Sequence, residues 1–215
     1  MQLIAVNAGL PREVDWNGKP ILTSIFKRPV AGPVAVKGQN VVGDRQADLR
    51  YHGGVDKAVY GYPSEHYPFW REAYPDLEDG WGLFGENLTT TGLTEDRLHI
   101  GDVLRIGTVK LRVSQPRMPC FKLGIRHGKP DLIKAFQKAL RPGFYLRIER
   151  EGTLEAGDSI EVTHSVTEAP TVREIVELQR PPARDRAAIE RALALQTLGP
   201  EWRVQLEKRL AEASA

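Results

Sequence analysis

The hydrophobic pattern of this chain changes its period once, near residue 166, and this change limits the fold more than any other feature. Before it, short apolar runs alternate with turn residues, and Val109 to Val113 switches between apolar and basic side chains. Such a period of two is typical of a β-strand with one buried face. From Thr171 onward, apolar residues recur at helical spacing. The sequence therefore predicts a mainly β domain at residues 1–165 and a three-helix extension at residues 166–215.

The first 165 residues contain many short β-like runs. Asn17-Gly18 separates two of them and tolerates the positive φ angles of a tight hairpin turn. Many short strands with turn signals favour a barrel or a sandwich. The other runs are Gln2 to Ala8, Val34 to Val36, Ala58 to Tyr62, Val103 to Ile106, Phe144 to Ile148 and Ile160 to Val162.

Helices are predicted at two places among the strands. One covers Ser64 to Ala73 with Ser64 as its N-cap, and the other covers Asp131 to Leu140 and ends before Pro142-Gly143. Both segments carry apolar residues at helical spacing, so each is expected to pack one face on the strands.

Three helices are predicted in the extension. Thr171 and Glu174 form a potential capping box at the start of the first, and Pro181-Pro182 ends that helix. Asp185 is placed to cap the second, and Gly199-Pro200 separates it from the third. Short helices with one apolar face need a packing partner, so they must contact each other or the barrel.

Composition bounds the class of protein. The 215 residues are 41% hydrophobic, which is enough for a substantial core, and the net charge is only +2. Neither a nucleic-acid duplex nor an anionic membrane is therefore an expected partner. No apolar run is long enough to span a bilayer, and Met1 to Val6 lacks the basic region of a signal peptide. The single cysteine suits a reducing compartment, so we expect a cytoplasmic protein.

That single cysteine, Cys120, is the main candidate for chemistry. It lies between Pro116 and Pro119 on one side and Lys122 on the other, and Arg117 is three residues before it. The prolines predict a stiff loop, and nearby cations favour the thiolate, which is a nucleophile and a soft-metal ligand. A lone cysteine is also a common core residue. Prolines and cations are poor neighbours for a core strand, so the sequence favours a functional thiol.

A glycine-rich polar segment is the second candidate. His52 precedes Gly53 and Gly54, and Asp56 and Lys57 follow within the same loop. Glycines allow the backbone to approach a ligand closely, and their N–H groups can form an anion-binding nest beside the lysine. An ordinary polar loop remains an equal alternative from these residues alone.

Two shorter motifs complete the set of candidates. Glu86-Asn87 follows Phe84-Gly85 in a sequence that favours a β-turn, and the Asn87 amide is suited to the edge of a heterocycle. Lys27-Arg28 could contact a phosphate, although a solvated cation pair is the simpler interpretation. The five histidines have no metal-ligand spacing, so a zinc site made only of protein ligands is not expected.

Taken in order, these motifs resemble the MOSC domain family, named after the C-terminal domain of molybdenum cofactor sulfurases, and within it the stand-alone bacterial YiiM-like branch. The resemblance spans nearly the whole chain and includes the helical extension. It rests on these segments: Lys27 to Val30, Gly43 to Asp48, His52 to Tyr60, Phe84 to Leu88, Gly101-Asp102 and Ser114 to Cys120.

The resemblance implies a β-barrel with short helices that binds a molybdenum–pyranopterin cofactor. It makes Cys120 the metal ligand and Lys27 a contact to the pterin phosphate. It also implies a cofactor or substrate pocket lined by Gly53, Gly54, Lys57, Glu86, Asn87 and Arg117. Pyridoxal phosphate is tied to the family only through a desulfurase domain fused to MOSC in the sulfurases. The sequence lacks that domain, so we expect no sulfur mobilisation from cysteine by this chain alone.

The first functional hypothesis is a molybdenum-dependent oxidoreductase that reduces N-hydroxylated nucleobases or related compounds. Cys120 would be a catalytic residue as metal ligand, and His52 or Asp56 would deliver a proton. The sequence shows no flavin or iron–sulfur motif, so an external electron donor, a flavoprotein reductase, is expected. One alternative is a sulfur carrier with a persulfide on Cys120, and another is a non-catalytic binding module whose extension recruits a partner. The extension could instead have a structural role, covering a barrel edge or forming a homo-oligomer seam.

Overall fold

A twisted eight-stranded sheet organises the chain. The structure is a computed structural model that describes residues 1–180 and 185–213. The sheet has the strand order β13-β9-β10-β11-β7-β8-β1-β4, and β12-β5-β6 and β2-β3 form two smaller sheets. The strands are β1 Gln2–Ala8, β2 Arg12–Trp16, β3 Lys19–Thr23, β4 Arg28–Pro29, β5 Val34–Lys37, β6 Asn40–Val41, β7 Val59–Pro63, β8 Leu88–Thr91, β9 Val103–Ile106, β10 Val109–Pro116, β11 Phe144–Arg150, β12 Gly152–Leu154 and β13 Ile160–His164.

The large sheet curls until its two sides meet. Strand β1 pairs with β8 along one edge and also contacts the start of β13 at the other side of the sheet. The Leu3 N–H donates to the Asp158 carbonyl at 2.9 Å, and the Ile160 N–H donates to the Met1 carbonyl at 3.0 Å. These bonds close the sheet into a barrel, which removes most exposed strand edges.

The helices flank the barrel or follow it. Short 3₁₀ turns also occur at Val55–Lys57 and Ser64–His66. The α-helices are α1 Leu49–His52, α2 Tyr67–Ala73, α3 Lys122–His127, α4 Leu132–Ala139, α5 Val172–Glu177, α6 Arg186–Ala194 and α7 Pro200–Ala213. No helix among the residues described is long and apolar enough to cross a membrane.

The prediction of a mainly β barrel with short helices and a helical extension is confirmed. The hairpin turn has φ values of 55° at Asn17 and 75° at Gly18, as a tight turn between twisted strands requires. The capping box of Thr171 and Glu174 is present at the start of α5, and the Asp185 side chain accepts a hydrogen bond from the Ala188 N–H. Pro181 and Pro182, predicted to end the first extension helix, lie outside the described residues.

Several predicted element boundaries are wrong. Ser64 makes no capping hydrogen bond, because it starts a 3₁₀ turn that precedes α2. By contrast, the helix predicted at Asp131 to Leu140 is confirmed: α4 spans Leu132–Ala139 with Asp131 and Leu140 as its caps, and the left-handed φ of 54° at Leu140 ends it. Helices α1 and α3 were not predicted, and β10 continues to Pro116 in register with Phe144.

One hydrophobic core runs from the barrel into the extension. Buried barrel residues such as Leu111 and Val113 belong to the same cluster as Val172, Ile189 and Trp202 of the extension helices. A second, aromatic-rich cluster of Tyr60, Tyr62, Tyr67, Trp70, Phe84 and Phe136 lies under the segments that carry the candidate site residues. The division into domains at residue 166 stays a prediction, because the packed core does not stop there.

Candidate functional site

Two connected hollows lie at one end of the barrel. We call the first the inner cavity, and its volume is about 90 Å³. It is formed where β3, β7, β10 and β11 meet the loops that follow or precede them. Its walls are made by Thr23, Ser24, Ile25, Lys27, Asp44, Gln46, Ala47, His52, Lys57, Tyr60, Gly85, Asn87, Arg117, Cys120, Lys122 and Tyr145.

The second hollow, the outer groove, opens beside the inner cavity and is larger, about 940 Å³. The two share the side chains of Ala47, His52, Lys57, Cys120, Lys122 and Tyr145. The other walls of the groove are Pro20, Ile21, Leu22, Asp48, Leu49, Arg50, Tyr51, Met118, Pro119, Phe121 and Glu201. A molecule in the groove can therefore reach groups that also face the inner cavity.

Cys120 stands on the shared wall. It is a free thiol of intermediate burial, and its carbonyl accepts the Leu123 N–H at 2.9 Å at the start of α3. The segment from Arg117 to Cys120 has no regular structure, since it joins the end of β10 to that helix. Cys120 is half-buried and lines both hollows, a placement that suits a ligand or nucleophile better than a packed core residue.

Lys27 and Asp44 form a buried ion pair on the inner cavity wall. Asp44 also accepts the Gly9 N–H at 2.9 Å and the Asn87 amide at 2.8 Å, so its charge is well solvated by the protein. Burial lowers the pKa of Lys27, and the neighbouring Asp44 carboxylate opposes that shift. The pair fixes the ammonium at the cavity instead of leaving it free in solvent.

Arg117 is buried under Cys120 without a carboxylate partner. Its guanidinium donates to the Phe84 carbonyl at 2.7 Å and to the Tyr60 hydroxyl at 3.3 Å, and it lies 4.7 Å from the centre of the Tyr60 ring. The ion pairs found within residues 1–180 and 185–213 include neither Arg117 nor Lys122. The inner cavity therefore offers uncompensated positive charge to an anion.

The same positive charge affects His52. Burial, together with the nearby cations Lys122, Arg117 and Lys57, lowers the pKa of His52 to about 4. The His52 imidazole is therefore neutral, without its second proton, near pH 7 in the free protein. An anion bound among these cations would partly restore its basicity.

Four of the residues predicted to act at the site do not line the inner cavity. Asp56, expected to deliver a proton, instead pairs with Arg147 on β11. Glu86 is fully buried beneath the cavity, where it accepts hydrogen bonds from Tyr67, Thr89 and two backbone N–H groups. Both carboxylates thus have internal partners that hold the loops in place, and their roles at the site stay predictions. Gly53 and Gly54 lie in the turn between α1 and the 3₁₀ turn, behind His52.

Tyr60, Tyr145, Asp44 and Gln46 line the inner cavity and were not singled out from the sequence. Tyr145 also faces the outer groove, and burial raises its pKa, so its hydroxyl stays protonated. Both tyrosines belong to strands, where they were counted as ordinary β residues. Strand β7 pairs with β11, and this pairing brings the two tyrosines together near the cysteine loop. The sequence alone does not indicate this pairing.

Gly85 shows why the turn before Asn87 has its sequence. Its φ is +79°, a conformation that other residues adopt at a cost, and a Cβ there would lie 2.5 Å from the Ile25 side chain. The turn thereby brings Asn87 against Asp44, and the side-chain Oδ1 of Asn87 accepts the Tyr60 N–H at 3.1 Å.

The combination of barrel, extension and cysteine loop agrees with the comparisons with known families. The model of the MOSC domain matches residues 48–161, and the model of the YiiM-like 3-alpha helix domain matches residues 170–213. The chain belongs to the MOSC domain family. The first match covers more than half of the chain and includes His52, Lys57, Asn87, Arg117 and Cys120.

Relatives of similar length match nearly the whole chain. YflK of Bacillus subtilis is 39% identical over 207 residues, covering 96% of this chain and 93% of that protein. YiiM of Escherichia coli is 32% identical, covering 89% and 85%. The crystal structure of YiiM from Geobacillus stearothermophilus superposes with a TM-score of 0.80 at 36% identity, covering 97% of this chain and 98% of that one.

A longer relative carries a functional name. A protein of Gibberella moniliformis called "Reductase" is 37% identical over 161 residues, which is 74% of this chain but only 28% of the fungal protein. The matched MOSC part is thus a minor portion of that protein, and its name describes the larger whole.

Proposed function

We propose that this MOSC protein is a molybdenum-cofactor reductase of N-hydroxylated compounds, nucleobases included, and that Cys120 is its metal ligand. The observation that carries the proposal is the position of the Cys120 sulfur. It lies on the wall between a cation-lined inner cavity and an apolar outer groove. One hollow is suited to an anionic cofactor and the other to a substrate.

The residues of the inner cavity fit the charge and ligand chemistry of the metal end of a molybdenum–pyranopterin group; a cavity of about 90 Å³ receives only that part of the cofactor. A thiolate is a soft ligand of the kind that suits a metal already bound to sulfur. Arg117 and Lys122 form no ion pair with a carboxylate among the described residues, so anionic dithiolene and phosphate groups would meet their positive charge, whereas Asp44 offsets the charge of Lys27. When bound, such a cofactor supplies the two-electron chemistry. The chain binds it, orients it and limits the access of water.

The reaction needs protons as well as electrons. Reduction of an N-hydroxyl group to an amine takes two electrons and two protons and releases one water. Tyr145 keeps its hydroxyl proton and lines both hollows, and neutral His52 can accept a proton from solvent and pass one inward. We assign the proton transfer to these two side chains in place of Asp56.

The electrons come from outside the chain in this proposal. We expect a flavoprotein reductase as donor, since the sequence carries no redox motif of its own besides the cysteine. The name of the fungal relative supports a reductase, and this chain covers only 28% of that protein.

An activity assay with an artificial electron source tests the proposal without the native donor. Protein produced in cells supplied with molybdate is mixed with dithionite-reduced methyl viologen and N4-hydroxycytosine, and cytosine formation is followed. The wild type should form cytosine, and a Cys120→Ser variant of equal thermal stability should not. Equal activity of the two proteins would refute the role of Cys120.

The sulfur-carrier alternative predicts a different product on the same residue. The exposure of Cys120 to the outer groove would also allow a persulfide to be presented to an acceptor. Intact-protein mass spectrometry distinguishes the two functions: a thiol-labile gain of one sulfur on Cys120, together with inactivity in the reductase assay, would favour the carrier.

A further inference from the structure

We infer that the C-terminal extension supplies a specificity-determining residue to the site: Glu201 neutralises Lys57 at the outer groove, so that the groove favours uncharged over anionic molecules. The inference deepens the proposed function, on which its substrate side rests. It assigns to the extension a role in the chemistry of the site rather than in recruiting a partner.

The contact between Glu201 and Lys57 is direct. The Lys57 ammonium lies 2.7 Å from the Glu201 carboxylate and also donates to the Tyr51 carbonyl at 2.7 Å. Only 12% of the Lys57 side chain is exposed, against 40% for Glu201. Lys57 faces both the inner cavity and the outer groove, whereas Glu201 faces only the groove. The Glu201 carboxylate thus neutralises the Lys57 ammonium on the side that faces the groove, although Lys57 lines both hollows.

The first turn of α7 is held firmly in this position. The indole N–H of Trp202, which is buried, donates to the Pro116 carbonyl at 2.7 Å, immediately before Arg117 in the cysteine loop. The Gly199 N–H donates to the Ser114 carbonyl at 3.4 Å. The extension is therefore attached to the strand that carries the Cys120 loop, and these contacts fix the backbone of Glu201 beside Lys57.

The rest of the groove is consistent with an uncharged occupant. Four large apolar side chains on its walls are exposed, which is unusual for a surface without a ligand; they are Leu22, Leu49, Tyr51 and Phe121. Arg50 is paired with Asp48 at 3.0 Å, as Lys57 is with Glu201. Lys122 is the remaining cation of the groove, and it also faces the inner cavity, where the cofactor is proposed to bind.

The single thiol of the chain gives a direct probe of this charge balance. Iodoacetamide and iodoacetate alkylate a thiolate by the same reaction, which forms a C–S bond and releases iodide, but only iodoacetate is an anion. Because Cys120 is the only cysteine, each rate belongs to one sulfur. The ratio of the iodoacetate rate to the iodoacetamide rate cancels the thiolate fraction and reports the local potential.

Opposite charge changes should move this ratio in opposite directions. At low ionic strength Glu201→Gln should raise the ratio about three-fold, and Lys57→Gln should lower it by a similar factor, as expected for one charge acting over about 10 Å in a mostly aqueous groove. The double variant should return close to the wild-type ratio. High salt should reduce all of these differences, because the Debye length is only about 3 Å at 1 M.

Glu207→Gln is the matched control, since Glu207 is exposed on the same helix and does not line the groove. It makes the same change in net charge and should leave the ratio unaltered. An unchanged ratio in both Glu201→Gln and Lys57→Gln, or an equal shift in Glu207→Gln, would overturn the inference. Because the two single variants have opposite expected signs, poor folding of one does not remove the test.

A substrate experiment extends the result to the proposed reaction. The kcat/KM for N4-hydroxycytidine should exceed that for its 5′-monophosphate in the wild type, and Glu201→Gln should narrow the difference about three-fold by the same charge argument. Equal preference in wild type and variant would contradict the role in specificity. The alkylation ratio needs no molybdenum, so it can succeed or fail independently of the proposed function.

Discussion

At the scale of single residues, the site is a balance of buried charges. The sequence indicated that cations surround Cys120, and the structure places Lys27, Arg117 and Lys122 around one cavity with it. The sequence did not indicate that Asp44 neutralises Lys27, because the two are 17 positions apart and meet only through the fold. The electrostatic environment of a loop thus depends on contacts that local spacing does not encode.

The buried Lys27–Asp44 pair gives a stability prediction. Removing one partner of a buried ion pair leaves the other charge uncompensated, which costs about 3–5 kcal/mol. Asp44→Asn should therefore lower the free energy of unfolding by this order in urea denaturation. The control is Asp48→Asn, which breaks the exposed pair with Arg50 and should change the midpoint little. Similar midpoints for the two variants would contradict the burial argument.

His52 gives a pH prediction. Its pKa is about 4 in the folded protein, below the ordinary value of 6.5, so the unfolded chain binds a proton that the folded chain excludes. Its contribution to stability is present above pH 6.5 and declines as the pH falls toward 4. Thermal unfolding in a buffer of weakly binding anions should show this decline, and His52→Gln should make the slope shallower. An NMR titration that places the imidazole pKa at or above 6.5 would contradict it.

At the scale of elements, the sequence correctly predicted the turns and caps that depend only on neighbouring residues. The Asn17-Gly18 hairpin and the capping box of α5 depend on neighbouring residues, and both are present. Helix α3 was missed because it is short and lies between Pro119 and Gly128, which indicate a loop. Strand β10 extends to Pro116 because pairing with β11 continues to Phe144, a contact that the sequence pattern does not reveal.

The capping box provides the prediction at this scale. Loss of an N-cap hydroxyl costs about 1 kcal/mol, so Thr171→Ala should lower the free energy of unfolding by this amount. Thr167→Ala, at an exposed position shortly before the helix, should have a smaller effect. Urea denaturation of both variants decides the matter. If both variants lost the same free energy of unfolding, the Thr171 hydroxyl would contribute no more to stability than the hydroxyl of an exposed threonine.

At the scale of the whole molecule, the barrel and the extension share a core. Val172, Ile189 and Trp202 pack into the cluster that contains Leu111 and Val113 of β10. The change of hydrophobic period correctly indicated where strands give way to helices. It could not indicate that the extension covers the barrel and reaches the site, because amphipathic faces do not specify their partners.

Removal of the extension should therefore damage the barrel. A chain ending at residue 165 would expose apolar surface that Val172, Ile189, Trp202 and other buried side chains of the extension now cover, and each fully exposed large apolar side chain costs about 1.5–3 kcal/mol. We expect the truncated protein to unfold at a lower temperature than the full chain and to aggregate. A truncated protein that stays monomeric with the full-length unfolding temperature would show that the barrel folds independently.

The molybdenum content of the purified protein tests the central claim most directly. Full-length chain and its Cys120→Ser variant are isolated gently from cells supplied with molybdate and compared by elemental mass spectrometry, with pterin measured in parallel. We expect the wild type to contain molybdenum and pterin in equal amounts, and the variant to lose most of the metal while its fold is unchanged. A wild type without molybdenum, or a variant that retains all of it, would contradict the account.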